Sequence, residues 1–169
     1  MNQSDFLKVI NPFKDKVFRM AKRLLVSTEE AEDATQELFL KLWKNKEKLS
    51  SYRNAEAFAM TMTKNYCYDR LKSKQANNLK LIHSNYREKD TSLDKKLEYK
   101  DSVSRVHLLI ENLPNQEKLI IQLRDIEQYE FEEICNMLDM KPTAVRVTLS
   151  RARKKIREAL IKQHNHGVC

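Results

Sequence analysis

Glycine occurs once in this chain of 169 residues, at Gly167, and proline three times. Tight reverse turns between strands draw on glycine for positive φ and on proline for fixed φ. A sheet protein of many short strands needs far more of both, so the sequence predicts an all-α fold. The remaining composition agrees: 41% hydrophobic and 33% charged residues suit small helical domains with wet surfaces. The length is enough for one medium domain or two small ones.

The formal net charge of +8 favours a polyanionic partner. Cys67, Cys135 and Cys169 are scattered without metal-ligand spacing. The first two sit in helical patterns as packing residues, which fits a reducing compartment. His164, His166 and Cys169 end the chain as a frayed tail, so no metal is expected there. The N-terminus has no apolar signal core, and no stretch reaches the roughly 18–20 apolar residues of a membrane span. A soluble, cytoplasmic protein is expected. There is no glycine-rich phosphate loop and no nucleophile–base signature, so neither enzyme activity, a small-molecule substrate nor a cofactor is expected.

Apolar periodicity divides the chain. Residues 1–75 read as a first helical domain. Asn11-Pro12 breaks its opening helix. Phe13, Val17, Met20, Ala21 and Leu24 make the stripe of the next helix. Ser27 with Glu30 matches a capping box, and Ala31, Thr35, Leu38 and Leu42 then face inward. Lys48 to Asn54 reads as a loop. Asn54 suits the cap of a helix from Ala55 to about Ser73, with Phe58, Met62 and Tyr66 on its inner face. Residues 76–92 are polar and weakly periodic, and read as a flexible linker. Residues 93–169 form a second helical domain, with one helix ending before Pro114 and another from Asn115 to Arg124. Two tethered domains can grip separated points on one long partner, where effective concentration multiplies two modest affinities.

The second domain ends in FEEICNMLDMKPTAVRVTLSRARKKIR, Phe131 to Arg157. Phe131, Ile134, Cys135 and Leu138 form one apolar stripe, and Val145, Leu149, Ala152, Ile156 and Leu160 another. Pro142 fits a first helical turn and forces Lys141 to be extended. Two helices so closely joined cross steeply, as in a helix-turn-helix whose second helix enters the major groove. From Thr143 to Lys162 seven cations face one acid, Glu158. A polyanion along that helix relieves its self-repulsion and releases counterions.

In the order of these motifs the chain resembles the extracytoplasmic function (ECF, group IV) sigma factors of the sigma-70 family. The resemblance rests on AEDATQELFLKLWKN (Ala31 to Asn45), AFAMTMTKNYCYDRLK (Ala57 to Lys72) and the segment from Glu111 to Leu160. It implies an alternative sigma factor that binds core RNA polymerase and directs initiation at promoters. Asp33, Gln36 and Glu37, with Phe39, Leu40 and Trp43 beside them, match the helix that docks on the β′ clamp. Whether Trp43 is interface or core stays open from sequence. Ser50, Ser51, Tyr52, Arg53 and Asn54, with Thr61, Lys64, Asn65, Tyr68 and Arg70, match the part that reads and melts the −10 element. Arg146, Val147, Thr148, Ser150 and Arg151 match the reader of the −35 element, with Arg153, Lys154 and Arg157 toward phosphates. The resemblance further implies a contact with the polymerase β flap and control by an anti-sigma factor.

The chain departs from the family pattern in places. Glu127-Gln128-Tyr129-Glu130 stands where a Gly and a Ser or Thr cap are common, and Thr143 where Gly is common. Val147 and Ser150 lie at positions that vary with the promoter. Two other readings remain open from sequence. A stand-alone helix-turn-helix regulator would not need the acidic helix or the Tyr52 loop. A sigma-like decoy would not need Arg146 and Arg151.

Overall fold

The computed structural model describes residues 1–84, with side chains as far as residue 78, and residues 102–166. Among them every regular element is helical, as the shortage of glycine predicts. The elements are α1 (Gln3–Ile10), α2 (Lys14–Leu25), α3 (Thr28–Lys44), α4 (Lys46–Ser51), α5 (Ala55–Ser84), α6 (Ser102–Glu111), α7 (Asn115–Ile121), a π-helical segment (Gln122–Ile126), α8 (Phe131–Leu138) and α9 (Pro142–His166).

Helices α2, α3 and α5 pack on one another to make the first domain. Val17, Met20, Ala21 and Leu24 of α2 are buried against Ala31, Ala34, Leu38 and Leu42 of α3. Ser27 caps α3 by accepting the Glu30 N–H at 3.3 Å, and Asn54 caps α5 by accepting the Ala57 N–H at 2.9 Å. Both caps follow from side-chain oxygens placed before orphan N–H groups. The buried face of α5 is Ala59, Met60, Thr63 and Cys67, not the expected Phe58, Met62 and Tyr66, which are only half-buried. Ala59, Thr63 and Cys67 are small and Met60 fills the space they leave, so Phe58, Met62 and Tyr66 are left at the flanks. Buried Thr63 is tolerated because its hydroxyl donates to the Ala59 carbonyl at 2.7 Å.

Two boundaries differ from expectation. Residues 48–51, expected in a loop, belong to α4. Residues 76–84, expected to begin the linker, continue α5. Extending a formed helix is cheap, and Gln75 to Ser84 contains no Pro or Gly to stop it. The rest of the expected linker, with the start of the second domain, lies outside the described residues, as does Cys169.

The second domain packs α6, α7 and α8 against α9. Val145, Leu149 and Ala152 of α9 are fully buried with Ile134 and Met137 of α8 and Leu119, Ile120 and Leu123. Asp139 ends α8 in the left-handed region at φ 52°, and Pro142 opens α9. The helix from Asn115 turns π-helical at Gln122, so its expected α-helical end at Arg124 is not reached.

The two domains touch. Helix α2 meets α7, and α5 meets α8. Arg19 of α2 forks onto Glu127 at 2.7 and 2.8 Å, and Glu127 also accepts from the Gln122 amide at 3.0 Å. Arg23 donates to Gln122 at 2.9 Å and to His107 Nδ1 at 2.8 Å. The Tyr129 hydroxyl donates to Glu56, which also holds Lys16 at 2.6 Å.

Candidate nucleic-acid interface

Helix α3 presents the first candidate group. Asp33, Gln36 and Glu37 are exposed on it. Leu40 is 54% exposed, while Phe39 and Trp43 are half-buried. Trp43 is therefore neither core nor free. It meets Phe6 edge-on at 5.1 Å, and the Lys46 ammonium lies 4.0 Å above its ring. Between α1 and α3 runs a groove of about 600 Å³ lined by Phe6, Leu7, Phe39, Leu40 and Trp43. Gln36 lines this apolar floor, and Asp33 and Glu37 are exposed on the same helix, a layout that fits a partner with basic residues around a hydrophobic centre. Asp33 reaches Arg70 at 3.6 Å and Glu37 reaches Lys41 at 3.9 Å. Such exposed pairs are worth little and exchange readily for a partner's cations.

The second group joins α4 to α5. The hydroxyls of Ser50 and Ser51 turn back to the carbonyls of Glu47 and Lys48, each at 2.7 Å. With Asn54 committed to its cap, these groups serve local structure. Tyr52 and Arg53 remain exposed, and the Tyr52 ring stacks on Phe58 at 4.1 Å. On α5, Thr61, Lys64, Asn65 and Tyr68 share one face by helical spacing. Burial pushes the Tyr68 phenol above its usual range. Lys64 is spent across the domain boundary, where its ammonium donates to the Met137 carbonyl at 3.1 Å. Arg70 points the other way, toward Asp33.

The third group lies on α9. Arg146, Val147, Ser150, Arg151 and Lys154 are exposed along one arc of the helix, opposite the buried Val145, Leu149 and Ala152. Thr148 is half-buried, and its hydroxyl donates to the Ala144 carbonyl at 2.8 Å. Arg146 lies over the Phe131 ring at 5.2 Å, so α8 helps to orient it. Arg153, expected at phosphates, instead forks back onto Asp125 at 2.5 and 3.0 Å. That hydrogen bonding raises its already high pKa. Lys155 is likewise held by Glu117 at 2.8 Å.

Two family models match along the chain: sigma-70 region 2 over residues 9–77 and sigma-70 region 4 over residues 104–156. The chain belongs to the sigma-70 family, as an ECF sigma factor. The candidate residues on α3, α4 and α5 fall within the region 2 match, and those on α9 from Arg146 to Lys154 within region 4, with Arg157 one position beyond it. The ECF sigma factor SigE of Mycolicibacterium smegmatis is 27% identical over 92% of this chain, which spans 61% of that relative. SigW of Bacillus subtilis is 21% identical over 94% of this chain and 90% of its own length. Among solved structures, the sigma factor RpoE in complex with the anti-sigma factor NepR from Bartonella quintana has the same fold. Its TM-score is 0.74 at 17% identity, covering 92% of this chain and 96% of that one. CnrH, solved with the cytosolic domain of CnrY, gives a TM-score of 0.67 at 19% identity, covering 95% of this chain and 90% of that one.

Sequence reasoning on this sigma factor missed residues that act through space. Phe6, Leu7 and Lys46 join Trp43, Phe131 supports Arg146, and Asp125 removes Arg153 from the basic face. Only Phe131 left a local signal, as the first apolar residue of its stripe. Among the described residues no helix is long and apolar enough to cross a membrane, and no group of three His, Cys, Asp or Glu could hold a metal.

Proposed function

We propose that this chain is the promoter-specificity subunit of a transcribing polymerase. It binds core RNA polymerase, recognises two promoter elements and directs initiation. In this reading residues 1–75 bind core and melt the −10 element, and residues 93–169 read the −35 element. The observation that carries it is the pairing, on one chain, of an apolar groove along α3, a helix that also exposes Asp33 and Glu37, with an exposed basic arc on α9. Asp33, Gln36 and Glu37 would meet the β′ clamp, with Leu40 and Trp43 in the apolar centre. The α9 domain would also meet the β flap.

Duplex opening here needs no catalytic acid or base, so the chain is not an enzyme in its own right. An unstacked base held on an aromatic ring contributes about 1–3 kcal/mol, and the exposed Tyr52 offers such a ring. On α9, an arginine bidentate to guanine contributes about 1–3 kcal/mol of discrimination. Arg146 and Arg151 are the base-edge candidates, and Lys154 faces phosphate. NepR and CnrY, the partners in the two similar structures, support an anti-sigma factor as a further partner.

The test separates the two faces. Arg151→Ala should lower promoter-specific transcription about tenfold or more while leaving core binding unchanged. The double change Asp33→Lys with Glu37→Lys should abolish core association with helicity intact. Equal losses of both activities from Arg151→Ala, or an unchanged holoenzyme yield from the double variant, would overturn the assignment.

A further inference from the structure

The contact between the two domains carries a hydrogen-bonded polar network beside the apolar core that both domains share. Glu127 is buried to 3% exposure of its side chain, and its carboxylate is held by both Arg19 bonds and by Gln122. Gln122, itself buried, is bonded on its other side by Arg23. This makes an unbroken chain of hydrogen bonds from α2 of the first domain to the π-helical segment and turn of the second. The π-helical turn places Gln122 and Glu127 together, with the Glu127 N–H donating to the Gln122 carbonyl at 2.9 Å. Left-handed Gln128, at φ 61°, then reverses the chain. That reversal brings Tyr129 onto Glu56, with the Lys16 ammonium 5.0 Å above its ring. Burial, then the bond to Glu56, pushes the Tyr129 phenol above its usual range, so the donor stays protonated.

We infer that the turn Glu127–Glu130, with Gln122 before it, is an intramolecular latch: the turn docks on Lys16 and Arg19 of α2, Gln122 docks on Arg23, and together they hold the free sigma factor shut. The inference rests on the promoter-reading role proposed above. Two elements centred roughly 25 base pairs apart are separated by about 85 Å of duplex. Domains whose helices α5 and α8 touch cannot sit on both at once. The shut form also uses up a reading group, because Lys64 on the proposed −10 face is bonded to the end of α8. Removing one partner strands a buried charge, so the latch is either fully made or costly to hold. Core polymerase and promoter then bind the open state, and their apparent affinity falls by the fraction that is open.

Small-angle X-ray scattering on the full chain tests the closed state without reference to transcription. A compact chain of this length has a radius of gyration of about 15 Å. Arg19→Glu and Glu127→Arg should each raise the measured radius by several Å, and combining them should restore it. Tyr129→Phe, which keeps the ring and removes one hydroxyl, should shift it in the same direction by less and guards against loss of fold in the charge variants. The open variants should also half-saturate core polymerase at a concentration several-fold lower than the wild type. Radii unchanged in all three single variants would overturn the latch. Expanded variants that bind core no better than wild type would overturn its inhibitory role, while leaving the promoter-reading proposal standing.

Discussion

Arg151 and Arg153 sit two residues apart on one basic helix and have different surroundings. Arg153 is neutralised by Asp125, while Arg151 is exposed among Arg146, Ser150 and Lys154. The sequence shows both as cations; only the fold shows which acid comes near. The departures from the family pattern at Glu127 and Tyr129 gain a role in the same way, through partners far away in the chain at Arg19 and Glu56. Cys67 gives the most direct check at this scale. It is fully buried on α5, and burial pushes its thiol up to about 12. At pH 8 only about one such thiol in ten thousand is the reactive thiolate. In a Cys169→Ser protein, alkylation followed by mass spectrometry should therefore mark half-buried Cys135 well before Cys67. Equal labelling of the two under native conditions would contradict the packing of α5.

Helix starts were legible because caps are local. Ser27 and Asn54 each precede an orphan N–H three residues on, and both bonds form. Helix ends and inner faces were less so. Nothing local marks the extension of α5 to Ser84, and its inner face was set by what α2 and α3 could admit. The end of α2 carries a strained turn that the sequence does not advertise. Val26 adopts φ 67° and ψ −39°, with the Ser27 N–H donating to the Leu25 carbonyl at 2.8 Å. That is a γ-turn of the rare hand, unfavourable for a β-branched residue. The side chain is 49% exposed and contributes little packing. Val26→Gly should relieve more strain than it costs in chain entropy, a net gain of about 1 kcal/mol. Thermal unfolding should move up by about 2–4 °C. A lower midpoint would mean that the Val26 side chain contributes more than its exposure suggests.

For the whole molecule, the all-α class and the helix-turn-helix could be read from glycine content and apolar spacing. The contact between the domains could not, since its hydrogen bonds join residues 73 to 108 positions apart. The closed arrangement and the two outward faces belong to one account: the chain carries both parts of a promoter reader and holds them together until larger partners separate them. The groove on α3 stays accessible in the closed form, with Leu40 and Leu7 exposed, so polymerase can make first contact before the domains part. The central claim is that this chain gives polymerase its choice of promoter. The measurement is run-off transcription by purified core RNA polymerase on a library of genomic fragments, with and without the protein. New transcripts whose start sites share two spaced upstream motifs are the predicted result. Failure of the protein to bind core polymerase, with no new transcript, would contradict it and leave a helix-turn-helix protein that acts on duplex DNA alone.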